Sequence, residues 1–252
     1  MTVPPLFRGL FDDAAVFPPG DLPLAEAVPA HLGHRSAWYA DAVGPFLCGA
    51  GRAGELAALR PEFPVALVLA PGGEYVPLPG LDVVGVEVAA TVVPRLPAGV
   101  PGSLELPYGE ELFKQLDQLA GTPHRAKFRT GGLTADAFPT VAELAAALTA
   151  CAELGVPYKC TAGLHNAVRH TDKVTGFEHH GFLNVLLAAA DPDRAAEALA
   201  ERSGAVLADA ARELTDHQVA SARASFTAFG TCSIAEPLTD LAELGLLSQE
   251  IR

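Results

Sequence analysis

Two lysines stand inside strand-like segments of this chain, where a positive charge is unusual unless it has a chemical role. Lys127 lies in the run Ala126-Lys-Phe-Arg-Thr-Gly-Gly132, and Lys159 lies in Val156-Pro-Tyr-Lys-Cys-Thr-Ala-Gly163. The chain uses only four lysines and takes most of its positive charge from arginine. Arginine stays protonated, whereas a buried lysine can lose its proton and act as a base or nucleophile. The two positions therefore predict chemistry that needs an amine.

The spacing of the basic residues predicts which way they point. Alternate residues of a strand share one face, so Lys127 and Arg129 lie opposite Phe128, and Lys159 lies on the same side as Thr161. Phe128 suits a face covered by helices. We therefore expect the polar pair of each strand to point into the interior of a barrel.

Carboxylates on two neighbouring segments complete a candidate catalytic set. Glu87 and Glu105 each lie near the end of a strand-like run. In the main hypothesis Lys159 is a Schiff-base nucleophile or general base, Lys127 lowers its pKa by like-charge repulsion, and Glu87, Glu105 or His165 moves protons. In the alternative, the two lysines and two glutamates form a structural ion network.

Several residues around these segments suit an anionic group. The planar fork of Arg129 matches carboxylate or phosphate. The glycines Gly131, Gly132 and Gly163 leave backbone N–H groups free to cradle an anion, although each could equally mark a tight turn. In phosphate-binding barrels the loops after the last two strands hold the phosphate. The remaining predicted substrate-binding residues are Asp12, Thr161, Arg169, Gly230, Thr231 and Ser233.

A cluster of histidines raises the alternative of a metal site. Half of the eight histidines fall within sixteen residues, between His165 and His180. Their spacing matches no standard zinc motif, so we expect no cofactor. The alternative is a divalent metal held by His165, His170 and His180, with Asp172 as a further ligand.

Composition limits the kind of partner. The chain has 252 residues, is half apolar, has 19% charged residues and carries a net charge of −13. Such a charge argues against nucleic acid or an anionic membrane as a partner, because both need a basic surface. The start has no signal-peptide core, no uncharged apolar run has transmembrane length, and the four cysteines form no CxxC pair. We expect a cytoplasmic protein that acts on a small anionic molecule. Homo-oligomerisation stays open.

Alternating strand and helix signals predict the fold class, α/β. The strand-like segments are 44–50, 63–70, 81–89, 102–107, 124–130, 156–162, 204–209 and 224–230. Eight such strands between helices predict a (β/α)8 barrel, made irregular by short connections after the second and third strands. No GxGxxG fingerprint supports an open dinucleotide-binding sheet. Residues 1–43 are predicted to be an extension that packs on the barrel formed by 44–252. Within it, Asp12 and Asp13 either shape a turn or reach into the barrel mouth.

Five stretches spread over nearly the whole chain together resemble a bacterial family of hypothetical proteins that has no assigned activity. They are Phe11-Asp-Asp-Ala-Ala-Val-Phe-Pro-Pro19, Lys127-Phe-Arg-Thr-Gly-Gly132, Lys159-Cys-Thr-Ala-Gly-Leu-His165, His180-Gly-Phe-Leu-Asn-Val185 and Phe229-Gly-Thr-Cys-Ser-Ile-Ala-Glu-Pro237.

A shorter stretch, Tyr158-Lys-Cys-Thr-Ala-Gly-Leu164, is similar to the strand of deoxyribose-phosphate aldolases that carries the Schiff-base lysine before a Thr/Ser-x-Gly turn. The likeness covers about seven positions and implies a barrel with a Schiff-base lysine at Lys159. That family has its second lysine on the following strand, whereas here Lys127 is on the preceding one.

These observations lead to one main functional hypothesis and two alternatives. The main hypothesis is a barrel enzyme of lyase (aldolase-like) or isomerase type that acts on a small phosphorylated or carboxylated substrate. The first alternative is a metal-dependent hydrolase or lyase that uses the histidines between His165 and His180. The second is a barrel that binds an anion without turning it over.

Overall fold

Eight parallel strands close into a barrel. The computed structural model describes residues 2–89, 96 and 98–247. Around the barrel each strand pairs with the next, and the last pairs with the first. The barrel strands are β1 (Phe11–Asp13), β2 (Val43–Gly49), β3 (Pro64–Val68), β4 (Asp82–Val88), β5 (Gly102–Glu105), β6 (Arg125–Arg129), β7 (Tyr158–Thr161) and β10 (Phe226–Thr231). A two-stranded hairpin follows β7, formed by β8 (His170–Thr171) and β9 (Glu178–His179).

Helices surround the barrel unevenly. They are α1 (Leu24–Ser36), α2 (Ala53–Ala58), α3 (Leu112–Asp117), α4 (Val141–Leu154), α5 (Phe182–Ala190), α6 (Ala195–Ala200), α7 (Gly204–Glu213), α8 (Asp216–Ser225) and α9 (Ala235–Glu243). Four of them, α5 to α8, separate β7 from β10, whereas the segment 69–81 between β3 and β4 has no helix. The structure thus confirms the predicted irregular (β/α)8-type barrel.

The first barrel strand lies inside the segment that we predicted to be an extension. Phe11–Asp13 pairs with β10 on one side and with β2 on the other, so part of residues 1–43 closes the barrel and does not merely pack on it. The sequence of this segment does not predict a barrel strand. The strand has three residues, two of them aspartates, and aspartate is depleted in strands.

The predicted seventh strand at 204–209 is wrong, because these residues begin helix α7. A short apolar run cannot be assigned to helix or strand from its periodicity alone. Here the Ser203 side chain accepts a hydrogen bond from the Val206 N–H, which caps the helix, and the buried side chains Leu207, Ala208 and Ala211 follow the helical repeat.

The apolar shell packs between the barrel and its helices. The central helix α5 is buried from Phe182 to Ala189, and its Phe182 ring stacks on Phe229 of β10 at 5.2 Å between centroids. The stretch Ala135–Leu154 has the length and hydropathy of a membrane-spanning helix. Its α4 portion buries Leu144, Ala147 and Leu148 in this shell, as a core helix does.

A buried contact between a histidine and an aspartate ties β1 to α1. The His31 ring is fully buried, and its Nδ1 lies 2.8 Å from Oδ2 of Asp13. The other Asp13 oxygen accepts a hydrogen bond from the Ala15 N–H at 3.0 Å. The second nitrogen of His31, Nε2, is buried without a partner among the described residues. Asp13 is therefore the polar anchor that fixes the closing strand against its helix, and its hydrogen bond to Ala15 corresponds to the turn-shaping role that we had considered for it.

Replacing Asp13 with alanine should weaken this closure. The Asp13→Ala variant loses both hydrogen bonds and leaves His31 buried without a partner on either ring nitrogen, so we expect the free energy of unfolding to fall by about 2–3 kcal/mol. Urea unfolding measures this. The control Asp82→Ala, on an exposed position of β4, should change stability by less than about 0.5 kcal/mol. Equal losses in both variants would contradict the anchoring role.

Candidate active site

The barrel interior contains a continuous series of paired charges. Strand β6 contributes cations, because its alternate residues Arg125, Lys127 and Arg129 turn inward. Phe128 packs outward, and its ring centroid lies 5.9 Å from that of Tyr158. The orientation predicted from residue parity is confirmed. The Cα partner of Lys127 on the neighbouring strand β7 is Lys159, so two lysines lie side by side on adjacent strands.

Lys159 lies at the buried end of this series. Its side chain is fully buried, and its ammonium donates to Oδ2 of Asp12 at 2.5 Å and to Oε1 of Glu87. These carboxylates come from strands β1 and β4, so three strands meet at one nitrogen. The predicted Asp12 thus lies inside the barrel as a partner of the lysine.

Glu87 joins the two lysines. While its Oε1 accepts from Lys159, its Oε2 accepts from Lys127 Nζ at 3.0 Å. Lys127 also contacts Oε2 of Glu105 at 2.9 Å, and the other oxygen of Glu105 accepts from Arg129 Nε at 2.8 Å. Six charges therefore alternate in sign along one connected path.

The path leads from solvent into the core. The exposed fraction of the side chain falls from 47% at Arg129 to 18% at Glu105, 4% at Lys127 and 0% at Lys159. The open end is formed by the last residues of β5 and β6. This is the carboxyl end of the strands, where barrel enzymes carry their active sites.

The charges set one another's protonation. Burial alone would lower the pKa of Lys159, but the carboxylates of Asp12 and Glu87 outweigh it and the pKa is raised. The pKa of Lys159 is thus raised, whereas we had expected like-charge repulsion from Lys127 to lower it. Burial would raise the pKa of Glu87, yet the two lysines lower it to about 2. The pKa of Glu105 is also lowered, against its burial, by Lys127 and Arg129. Burial raises the pKa of Asp12 in spite of its lysine partner.

A bulge in β2 makes room for the Asp12 carboxylate. The register between β1 and β2 shifts so that Gly44 and Pro45 together face Asp12. A Cβ atom at Gly44 would lie 2.2 Å from Oδ1 of Asp12. Glycine is therefore required here for close approach, and no sequence motif reveals it. Gly230, a predicted binding residue, is the Cα partner of Asp12 on the other side and forms barrel wall.

Arg125 fills the interior below the network. Its guanidinium donates to Ser103 Oγ at 2.7 Å and to Thr227 Oγ1 at 3.1 Å, so it spans from β5 to β10. Among the described residues it pairs with no carboxylate, although its charge acts on Asp12 and Lys159. We did not identify this residue from the sequence, where its alternation with Lys127 was the available signal.

The glycines after β6 and β7 bring two loops into contact. A Cβ atom at Gly131 would lie 2.8 Å from the Gly163 Cα, and one at Gly163 would lie 2.7 Å from the Thr130 carbonyl oxygen. Gly163 also has φ near +81°. A Cβ at Gly132 would lie 2.6 Å from that of Ala137. Close packing thus explains these glycines.

The two loops are joined at the carboxyl end of the barrel by Thr130, whose N–H donates to the Thr161 carbonyl at 2.9 Å. Thr161 itself is half-buried at the carboxyl end of β7, where it is the Cα partner of Arg129.

The predicted residues of the 165–180 segment do not gather at one point. Arg169 pairs with Glu178 of the hairpin at 2.8 Å. His170 stacks on His179 with centroids 5.1 Å apart, whereas His180 Nε2 lies 2.8 Å from the Pro139 carbonyl oxygen. Burial lowers the pKa of His180 to about 4. No group of three or more metal-binding side chains occurs in the described part of the chain, so the proposed histidine ligand set is not assembled there.

A second polar cluster forms between β7 and β10. His165 Nδ1 lies 2.9 Å from Glu236 Oε2 and 3.8 Å from the Cys232 sulfur. Burial and the charge of Glu236 raise the pKa of Cys232, which disfavours a thiolate. The predicted anion ligands Thr231 and Ser233 bond to each other, because Thr231 Oγ1 donates to the Ser233 carbonyl at 3.0 Å. Among the described residues, no side-chain hydrogen bond or ion pair joins this cluster to the charge network.

Comparison with known proteins adds no relative. No protein-family model, no curated protein and no solved structure matches the chain. The fold and the site are those of a parallel α/β barrel with a network of buried charges at the carboxyl end of its strands.

The charges should depend on one another energetically. Lys159→Met alone leaves Asp12 buried without its cation, so we expect the free energy of unfolding to fall by about 3–5 kcal/mol. Adding Asp12→Leu, an isosteric change, removes the orphaned charge and should restore at least half of that loss. Urea unfolding of both variants measures the difference. A double variant no more stable than the single one would contradict the pairing.

Acid should remove the contribution of Glu87. The pKa of this group is lowered from 4.5 to about 2 on folding, so its stabilising effect is full above pH 4.5 and is lost as the pH falls towards 2. We expect about 1.4 kcal/mol per pH unit from this group within that window. The raised pKa of Asp12 acts in the opposite sense, so the slope must be compared with that of Glu87→Gln, measured by urea unfolding. Identical slopes would contradict the assignment.

Proposed function

We propose that this protein is a barrel enzyme that uses a lysine amine to act on a small anionic carbonyl compound, by lyase or isomerase chemistry. The observation that carries the proposal is the network from Arg129 to Asp12, which is open to solvent at one end and fully buried at the other. The carboxyl end of a parallel barrel is the common place for such a site.

Stability alone does not account for this arrangement. Branched apolar side chains normally fill a barrel interior. Removing ions from water carries a large penalty that pairing recovers only in part, and apolar replacements of buried pairs are often as stable or more stable. An interior that keeps two lysines and two carboxylates almost wholly buried is therefore better explained by chemistry.

The geometry favours Lys127 as the reacting amine. Lys159 is enclosed by two carboxylates with no exposed surface, and its raised pKa keeps it protonated. Lys127 lies one step nearer solvent, beside the Glu105–Arg129 pair. This assignment departs from the aldolase likeness, in which the segment around Lys159 carries the Schiff-base lysine.

The remaining charges have clear roles in such a reaction. The neutral Lys127 nitrogen adds to the carbonyl carbon, and the oxygen leaves as water after protonation. The ammonium of Lys159 and the shared Glu87 can supply and recover that proton, since Glu87 contacts both lysines. The resulting iminium ion accepts electrons from a breaking C–C or C–H bond and becomes an enamine. A proton then returns to the enamine carbon, and water hydrolyses the iminium ion so formed to release the product and the free amine.

An excess of positive charge supports an anionic substrate. When Arg125 is added to the described charge network, four cations face three carboxylates, although the whole chain carries a net charge of −13. An anion from the substrate would balance this excess. Arg129 is the cation best placed to receive it, because nearly half of its side chain is exposed.

Borohydride reduction with carbonyl compounds tests the proposal. We expect reduction in the presence of short oxo acids, hydroxy aldehydes and their phosphates to leave a stable adduct on Lys127, located by peptide mass spectrometry. Lys127→Met should abolish it. Lys159→Arg keeps the buried positive charge but moves protons poorly, so we expect the adduct to form at least tenfold more slowly.

The exposed Lys114, which pairs with Glu111 on the surface, provides the matched control. Lys114→Met should leave trapping unchanged. If no carbonyl compound leaves an adduct on either buried lysine, amine catalysis is excluded. Binding of anions without any adduct or turnover would instead favour the non-catalytic barrel.

A further inference from the structure

One carboxylate occupies the place where an anionic substrate would sit. Glu105 offers one oxygen to Arg129 at 2.8 Å and the other to Lys127 at 2.9 Å. It is therefore the only acid in the described network that touches both the exposed cation and the candidate amine. Its side chain is 18% exposed, so it lies at the boundary between solvent and the buried charges.

The spacing of the two cations limits the shape of a ligand that contacts both. The guanidinium of Arg129 and the ammonium of Lys127 are separated by the width of a single carboxylate group. A ligand with its anionic group on Arg129 and its carbonyl carbon on Lys127 must carry the two on adjacent atoms. A long spacer between them would place the carbonyl carbon beyond the lysine.

We propose that Glu105 is a built-in stand-in for the substrate's anionic group, and that the substrate is a short 2-oxo acid or a compound with its anion equally close to the carbonyl. This inference rests on the proposed function and narrows its substrate class. Phosphate and carboxylate share the required charge, and only the carboxylate of a 2-oxo acid bonds directly to the carbonyl carbon.

Displacement of Glu105 would also make the Lys127 amine reactive. In the resting state the nitrogen of Lys127 is held by two carboxylates, at 3.0 Å from Glu87 and 2.9 Å from Glu105. When a substrate anion takes over Arg129, Glu105 loses its second cation and becomes a better proton acceptor. A proton then passes from the Lys127 ammonium to Glu105, which becomes a neutral acid, and the free amine adds to the adjacent carbonyl. Substrate binding and activation of the nucleophile are thereby coupled through one residue.

A graded set of probes tests the substrate class. Pyruvate carries its carboxylate next to the ketone, levulinate carries it two carbons further away, and acetone has none. We expect borohydride trapping on Lys127 to be at least tenfold faster with pyruvate than with either of the others at equal concentration. Inorganic phosphate should compete with pyruvate if Arg129 accepts both anions, and should not compete if the site is selective for carboxylate. Equal trapping rates for pyruvate and acetone would overturn the substrate class while leaving amine catalysis intact.

Substitution of Glu105 tests the stand-in role itself. Glu105→Gln removes the competing charge, so pyruvate binding measured by calorimetry should tighten by about tenfold. Trapping at saturating pyruvate should slow by at least tenfold, because the amide cannot accept the proton. Glu105→Asp keeps the carboxylate and should restore part of the trapping rate. A residue with a purely structural role would not separate binding from trapping in opposite directions.

The outcomes distinguish this inference from the proposed function. If pyruvate binds more tightly to Glu105→Gln but never forms an adduct in any variant, the stand-in role holds and amine catalysis fails. If adducts form on Lys127 but Glu105→Gln binds pyruvate no more tightly than the wild-type protein, the stand-in role fails and amine catalysis holds. Arg129→Met should weaken pyruvate binding at least tenfold, and unchanged binding would also overturn the inference.

Discussion

The site depends on the Glu87 carboxylate, which binds both buried lysines at once. Each of its oxygens serves one ammonium, so neither lysine can be neutralised or moved without changing the environment of the other. A single carboxylate between two cations in a low-dielectric interior stays ionised, as its low pKa shows. The remaining charges extend this central pairing, with Asp12 inward and Glu105 and Arg129 outward. The barrel supplies the scaffold, because only a closed sheet brings strands β1, β4, β6 and β7 around one point.

The resting protein stores its charges in a paired and unreactive form. A lysine enclosed by carboxylates is a poor nucleophile, which conflicts with the simple expectation that a buried lysine is a reactive one. The conflict is resolved if reactivity arises only when a ligand alters the pairing. A ligand can alter the pairing most easily at the solvent-facing end. There Arg129 and Glu105 are partly exposed, so breaking their ion pair costs less free energy than breaking a buried one. The more exposed an ion pair of the network is, the more easily a ligand can replace one of its two partners.

Residue types and parity were enough to predict much of this site. The alternation in β6 and β7 predicted that Lys127, Arg129 and Lys159 point inward, and the structure confirms it together with their proximity to Glu87 and Glu105. The sign of the pKa shift on Lys159 could not be predicted, since it depends on a partner 147 residues away in the chain. The bulge at Gly44 gives no local signal either, because it reflects the space that Asp12 needs.

Contacts between residues far apart in the chain also explain why the fold prediction missed one barrel strand. Strand and helix signals in the sequence detect seven of the eight barrel strands, but the closing strand Phe11–Asp13 is short and acidic because its side chains serve the interior and the neighbouring helix. Residues that conflict with the local rules of a strand are expected where function is located.

The position of Asp12 also links assembly of the site to closure of the barrel. Without β1 the sheet is open between β10 and β2, and Lys159 lacks one of its two carboxylates. An unpaired buried ammonium destabilises the open form, and an unpaired aspartate destabilises a detached β1, so each favours the state in which the strand is docked. His31 adds to this by holding Asp13 on the outer face while Asp12 faces inward. The two adjacent aspartates, Asp12 and Asp13, therefore have different roles. One joins the strand to its helix and the other completes the charge network, so a barrel that has closed in the correct register has also built its candidate active site.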